Sequence, residues 1–433
     1  MALSDYIYTF GQHLLKQHGE RIHKIALDAG FTCPNRDGSK GIGGCTFCNN
    51  SSFNPNVQQT GSLEVQFDSG RHAIAKRTRA KKFLAYFQAY TNTYAEVAEL
   101  DALYRQAMTK HDIIGLSVGT RPDCVSGKVL DLLAEYRDEG RIVWLELGLQ
   151  SAFDETLRRV NRGHNLKEYR EVAIEARRRG IPLCTHLILG LPGEDESHYH
   201  ASLDTVLDIG VDGLKLHPLH VVKHTVLANQ WRRGEYQPLS REEYIRIAAD
   251  LIERTPECIV FHRVTGTAAK DILLAPEWCS QKWNVLNGIE HELARRDHCQ
   301  GSLAGMPWIN GQSRDTAADN EACHARFPHP RDTLLAQPAA CGSGGEAAIP
   351  APDASQRRVT ASDPNPLPLP SPQSSDGTTS HSTRPPKDGD QVAGYPASGR
   401  GGEREMQSLI PAGEGANESL REVHVNEEIL NAA

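Results

Sequence analysis

Between His23 and Val221, six short apolar runs alternate with amphipathic stretches of helical period, and that alternation leaves few folds open. The runs are HKIALDAG (23–30), KKFLAYFQAY (81–90), IIGLSVGT (113–120), IVWLELGLQS (142–151), PLCTHLILGL (182–191) and DGLKLHPLHV (212–221). They are rich in Val, Ile, Leu and aromatic residues, as strands buried in a parallel sheet are. Between them lie YAEVAELDALYRQAMT, KVLDLLAEYRDEG, LKEYREVAIEARRRG and HYHASLDTVLDIG. The last three end at Gly140, Gly180 and Gly210, where glycine accepts the left-handed conformation just past a helix. A further helix starts at Ser240, where SREE places Glu243 as the partner of a capping box. The pattern implies an α/β fold with a parallel sheet and right-handed crossovers. A partial (β/α)6 barrel and a doubly wound sheet both satisfy it. In either, ligands gather at the carboxyl ends of the strands.

The segment that follows the first run is FTCPNRDGSKGIGGCTFCNN, with Cys33, Cys45 and Cys48 spaced C-x11-C-x2-C. Iron–sulfur clusters are ligated by thiolates, usually four. Three local thiolates on a four-iron cube leave one iron open to a substrate, as catalytic metal sites keep an open position. Glycines 38, 41, 43 and 44 let the loop fold tightly and bring backbone N–H groups to the sulfurs. Phe47 can shield one face from water. A structural zinc site would call for four ligands, commonly two C-x2-C pairs or added histidines, and only one such pair is present.

Charge narrows the rest. The chain carries a net charge of −8, and residues 301–433 hold 10 Lys+Arg against 17 Asp+Glu, so residues 1–300 are close to neutral. Bulk charge therefore gives no sign of a nucleic-acid partner. The same 133 residues hold 15 of the 24 prolines and three aromatics, Trp308, Phe327 and Tyr395. Such a stretch buries too little apolar surface to offset chain entropy and reads as mostly disordered. The expected organisation is a lead-in over 1–17, a core domain over 18–256, an extension over 257–300 and a tail over 301–433. The opening residues show no secretory pattern and no run of 18 apolar residues occurs, so a cytoplasmic chain without a membrane span is expected.

The cysteine loop, the alternating core and the motifs YFQAYTNTY, GTRPDC, ELGLQS, NRGH, HLILGLPGE, KLHPLHV, HRVTG and WCSQKW occur in one order across residues 5–300. Together they resemble the radical S-adenosylmethionine (SAM) superfamily, and within it the YhcC-like group related to the Elongator catalytic subunit and the oxygen-independent coproporphyrinogen oxidase. The resemblance implies a radical SAM core built as a partial (β/α)6 barrel. It implies a [4Fe–4S] cluster on Cys33, Cys45 and Cys48, with SAM chelating the open iron. Reductive cleavage would give methionine and a 5′-deoxyadenosyl radical that takes hydrogen from substrate. A one-electron donor such as flavodoxin or ferredoxin would be the partner.

By the same resemblance, Gln150 and Ser151 fall where relatives contact SAM. Arg162 of NRGH matches an arginine used on the SAM carboxylate, which suits a fork-shaped guanidinium. Arg121, with Pro122 and Asp123, ends the third strand where relatives place a polar group facing ribose or SAM. Gly190 and Gly193 of GLPGE could let backbone lie against adenine. His186 stands where the coproporphyrinogen relative has an acidic contact. The Gly-Gly-Glu-like motif that holds the SAM amine in many relatives is replaced by FQAYTNTY. That leaves Gln88, Asn92, Thr93 and Tyr94 as alternatives, with a helix cap as the structural role for Asn92 or Thr93.

Lys215, His217 and His220 of KLHPLHV, with His262 and Arg263, are candidates for substrate binding from the far side of a barrel. Cys124, Cys184 and Cys279 are either extra redox or hydrogen-donor thiols or, as the favoured reading, buried and inert, and Cys258, Cys299, Cys323 and Cys341 show no ligand spacing. The basic run RHAIAKRTRAKK (71–82) is either a solvated helix face or a phosphate-backbone contact, which keeps RNA open as a substrate. The reading from another class is a non-enzymatic iron–sulfur or zinc-binding redox-sensing module.

Overall fold

The computed structural model describes residues 2–49, 62–78, 80–306 and 308. Seven strands form one sheet: β1 (Ile22–Leu27), β2 (Lys82–Phe87), β3 (Ile113–Thr120), β4 (Ile142–Gln150), β5 (Leu183–Leu189), β6 (Gly213–Pro218) and β8 (Val260–Arg263). A second sheet pairs β7 (Val221–Val222) antiparallel with β9 (Leu273–Ala275). The helices are α1 (Phe10–His18), α2 (Leu63–Thr78), α3 (Val97–Ala107), α4 (Gly127–Asp138), α5 (Asp154–Arg159), α6 (Leu166–Arg178), α7 (Glu196–Ile209), α8 (Val226–Arg232), α9 (Arg241–Arg254) and α10 (Lys282–Arg296).

The strand order is β1-β2-β3-β4-β5-β6-β8, and every neighbouring pair is parallel. A doubly wound sheet reverses direction at a switch point. This order never reverses, so right-handed crossovers put every connecting helix on one face and the sheet curls into a partial barrel. It has one strand more than the six expected, because VFHR (260–263) pairs with β6 as β8 within the 257–300 segment.

Strand β4 shows how alternation builds the barrel. Val143, Leu145, Leu147 and Leu149 point outward into the main core beneath the helices. Each such buried side chain contributes about 1.5–3 kcal/mol relative to exposure. The inward series is Trp144, Glu146, Gly148 and Gln150. Trp144 belongs to a small apolar floor with Phe10, Leu14, Ile22, Leu84, Cys184 and Val260. Helix α1 supplies Phe10 and Leu14 to that floor. Thr9 bridges Phe261 in parallel, which ties the lead-in to the last strand. Strands β1 and β8 are the two ends of the sheet and do not pair with each other.

Helix ends follow the local sequence. Ser240 accepts from Glu243 N at 3.2 Å while Glu243 accepts from Ser240 N at 2.8 Å, the expected capping box. Gly140, Gly180 and Gly210 lie at φ +83°, +65° and +83°. Asn92 and Thr93 do not cap α3. Its N-cap is Glu96, without a side-chain cap bond. The chain stays folded past residue 300: Leu303 N donates to Glu253 O at 2.8 Å and Arg254 Nη1 to Met306 O at 2.6 Å. The ring of Trp308 stacks on His200. Pro307 and residues 309–433, where the tail was expected, lie outside the described residues.

Candidate functional site

The carboxyl ends of the strands open on a cavity of about 200 Å³. Cys33, Cys45 and Cys48 line it together with Phe47, Arg121, Gln150 and Arg162. The cysteine loop is sewn to the turn after α5. Thr46 N donates to Val160 O at 3.0 Å, Asn35 Nδ2 to Asn161 O at 2.6 Å and Asn161 Nδ2 to Gly44 O at 2.8 Å. On the other side Leu227 N donates to Thr46 O at 2.9 Å. The NRGH motif thus frames the loop as well as supplying Arg162. Gly163 sits at φ +76°, and a Cβ there would lie 2.2 Å from Asn35 Oδ1 and 2.9 Å from Arg121 Nη2. Only glycine fits that approach.

Guanidinium groups stand over the sulfurs. Arg121 Nη1 lies 3.7 Å from Cys33 Sγ, and Arg162 Nη1 lies 3.6 Å from Cys45 Sγ. Arg36 donates to Cys48 O at 2.6 Å and interacts with its thiol. Asp123 grips Arg121 through Nε at 3.0 Å and Nη2 at 2.8 Å, leaving Nη1 for Cys33. Burial pushes the Asp123 carboxyl up, but Arg121 and Lys40 outweigh it and hold it below the ordinary value. Burial, with the neighbouring Cys45, pushes the Cys48 thiol up to about 11 against the pull of Arg36.

The residues fit a multi-iron cluster better than a single zinc ion. A tetrahedral zinc with bonds of about 2.3 Å brings its sulfurs to roughly 3.8 Å from one another. Among the described residues, the one trio of candidate ligand atoms mutually within 4.8 Å is Glu146, Cys184 and His186, so the three loop sulfurs are spread more widely. The three arginines beside the loop would offset the negative charge of thiolates bound to a metal. Glu146, Cys184 and His186 make a poor cation site, because two ammonium groups already pair with the carboxylate.

Gln150 stays on the inward face of β4 across a bulge. The β4–β5 register shifts between Gly148 and Gln150, and Gln150 takes φ +78°. That conformation costs a non-glycine residue about 1–2 kcal/mol, and the side chain lines the cavity. A Cβ at Gly148 would lie 2.7 Å from both Arg162 Nη2 and Gln150 Nε2, so its absence leaves room for both. Arg162 Nη2 donates to Gly148 O at 2.9 Å, while its buried Nε has no partner.

Ser151, Gly190 and Gly193 do not line the cavity. Ser151 Oγ donates to Glu194 at 2.5 Å, and Tyr236 OH donates to Gly190 O at 2.8 Å. Gly193 packs against the guanidinium of Arg159. Of the FQAYTNTY segment, Gln88, Tyr90 and Thr91 reach the cavity. Asn92 instead donates to Gly119 O at 2.7 Å, Thr93 pairs with Thr120, and Tyr94 donates to Ser39. Lys215, His217, His220 and Arg263 line the far side, whereas His262 is buried beneath it.

A polar layer under the cavity was not anticipated. Glu146 is fully buried and meets Lys24 Nζ at 2.5 Å, Ser117 Oγ at 2.6 Å, His186 Nε2 at 2.9 Å, Tyr86 OH at 3.2 Å and Lys215 Nζ. Burial alone would raise its carboxyl, yet Lys215 and Lys24 hold it well below the ordinary value. Burial pulls Lys24 down to about 8 although Glu146 opposes it, and pulls His186 down to about 4. The signal was in the sequence: a carboxylate inside IVWLELGLQS and lysines inside HKIALDAG and DGLKLHPLHV each demand a buried partner.

Comparison with known proteins agrees with this geometry. A model described as the Radical SAM superfamily matches residues 33–206, and a Radical_SAM C-terminal domain model matches 211–295. Protein YhcC of Escherichia coli (strain K12) is 46% identical over 309 residues, covering 71% of this chain and 99% of that protein. The chain belongs to the radical SAM superfamily. Members of this superfamily bind a [4Fe–4S] cluster and SAM. YtqA of Bacillus subtilis (strain 168) is 37% identical over 299 residues, covering 68% of this chain and 92% of that protein. Elongator complex protein 3 of Saccharomyces cerevisiae is 27% identical over 164 residues, covering 37% of this chain and 28% of that protein. Among the described residues no helix is long and apolar enough to cross a membrane.

Proposed function

We propose that this chain is a radical SAM enzyme in which Cys33, Cys45 and Cys48 hold the cluster while Arg162, Gln150 and Arg121 meet SAM. The observation that carries the reading is the convergence of all six side chains on one cavity, with a guanidinium beside each of two sulfurs. Bound there, the cluster and SAM supply one-electron cleavage of the sulfonium and a 5′-deoxyadenosyl radical that takes hydrogen from a substrate.

The chain's own residues prepare that site. Arg162 lines the cavity with its guanidinium fixed by Gly148 O and Cys45 Sγ. A guanidinium so placed suits the carboxylate of SAM. Gln150, on its bulge, offers an amide to the same cavity. Asp123 fixes Arg121 and Phe47 covers the cysteine side, which limits water. The Lys24–Glu146–Lys215 layer holds the strands in register beneath the reacting groups. The electron donor is a small one-electron carrier such as flavodoxin or ferredoxin, and the compartment is the cytoplasm, whose reducing conditions keep ligand thiols free.

Anaerobic reconstitution with iron and sulfide, followed by SAM and dithionite, tests the reading. The expected result is 5′-deoxyadenosine and methionine from the wild-type protein and neither from Cys45→Ala. Stable zinc binding with no SAM cleavage would replace it with the metal-binding, non-enzymatic module.

A further inference from the structure

The wall of the cavity opposite the cysteines is built by β6, β8 and the loop after β8. Among the residues lining the cavity there is no Asp or Glu. The β6–β8 register shifts between Leu214 and Lys215, so Lys215 faces Arg263 where regular pairing would set it against His262. The bulge sets Arg263 opposite Lys215, and both residues line the cavity. Lys215 is balanced by Glu146. The Arg263 guanidinium has no ion-pair or hydrogen-bond partner among the described residues. It presses on its neighbours: beside it, burial and then Arg263 pull Lys282 down to about 8, and the same two causes hold His217 well below its ordinary value. Lys282 has no acidic partner among the described residues either.

The loop that follows adds donors. Gly266 and Thr267 line the cavity, and a Cβ at 266 would lie 2.9 Å from His217 Nδ1, so backbone approaches the histidine closely. A half-buried guanidinium without a counter-ion, placed beside a second cation, is costly unless an anion arrives to share it.

We propose that this wall binds an anionic group of the substrate, a carboxylate or a phosphate. Arg263 anchors it by a two-point contact, Lys215 is the second cation, and Thr267 donates from the loop. The assignment rests on the radical SAM reading of the cavity, since it places the substrate across from the SAM-binding side. It gives the substrate class as an acid or phosphorylated compound small enough to reach the barrel interior, or a phosphate of a larger one.

The test uses the reconstituted, desalted holoprotein under anaerobic conditions. Inorganic phosphate and succinate are titrated separately by calorimetry, and phosphate also by the broadening of its phosphorus resonance. At least one anion is expected to bind and to weaken by about tenfold or more in Arg263→Gln. Phosphate alone assigns a phosphorylated substrate, succinate alone a carboxylate, and both the shared anion subsite. Binding of neither anion, or binding in Arg263→Gln equal to wild type, overturns the proposal. If Arg263→Gln melts well below wild type, Arg263→Lys decides. A single ammonium in place of the fork is expected to weaken binding roughly two- to tenfold, and unchanged affinity overturns the assignment to Arg263. SAM is titrated into the same wild-type sample. Anion binding without SAM binding fails the radical SAM reading alone, and SAM binding without anion binding fails this proposal alone.

Discussion

Glu146→Gln removes one negative charge from beneath the site and leaves the shape of the side chain intact. In the wild type the carboxylate accepts from Lys24, Lys215, Ser117, His186 and Tyr86 at the centre of the barrel. The amide keeps one acceptor oxygen, but its NH2 group points donors at neighbours that are themselves donors. Two buried ammonium groups lose their counter-ion, and breaking a buried pair in this way costs roughly 3–5 kcal/mol. Lys24 limits the loss. Its ammonium is already down to about 8 with Glu146 in place, so it releases its proton near neutrality once the carboxylate is gone. At ~2 °C per kcal/mol for a domain of this size, the melting temperature should fall by about 6–10 °C at pH 7. The assay is thermal unfolding of anaerobically purified protein. The pH dependence has a definite sign. Glu146 is held well below its ordinary value in the folded state, so its stabilisation is present above the unfolded carboxylate pKa and is lost as pH falls through the folded one. The gap between wild type and Glu146→Gln should therefore narrow below about pH 4.3. A melting temperature within about 2 °C of wild type at pH 7, or a gap that widens in acid, would refute the reasoning.

Burial holds His13, His23 and His200 down to about 4, from 6.5 in the unfolded chain. The unfolded chain binds more protons in that interval, so stability should fall as pH drops from 6.5 to 4, read as a declining urea midpoint. Gly163→Ala should destabilise the protein by roughly 2–4 kcal/mol through backbone strain and the clash with Asn35 and lower the iron retained per chain, checked by melting and iron analysis. Unchanged iron content would separate the NRGH turn from the cysteine loop. Ser240→Ala should cost about 1 kcal/mol through the lost cap of α9, seen in the denaturant midpoint without change in iron content.

Helices α3, α4, α6 and α7, the start of α9 and six of the strands were legible because apolar periodicity, terminal glycines and a capping box are local signals, whereas α1, α5, α8 and α10 were not named. The seventh strand was not: Val260–Arg263 is four residues long, and its pairing to β6 is a long-range fact that no local pattern encodes. The cysteine spacing was legible because ligand geometry imposes it. That Asn161 would tie the cysteine loop across more than a hundred residues was not, since side-chain hydrogen bonds leave no periodicity. Ser151 and Gln150 are adjacent in sequence, yet only Gln150 lines the cavity, and the register shift before Gln150 and its positive φ follow from the β4–β5 pairing, which no local pattern encodes. Glu146 could have been noticed as a carboxylate in a buried strand, but its partners on β1, β2, β3, β5 and β6 become neighbours only when the sheet curls.

The most direct measurement is the Mössbauer spectrum of anaerobically reconstituted, iron-57-labelled protein before and after SAM is added. Three thiolate ligands predict a four-iron signature in which one iron alone changes its environment when SAM arrives, and no such signature in Cys45→Ala. A spectrum without a four-iron cluster, or one that SAM leaves unchanged, would contradict the account.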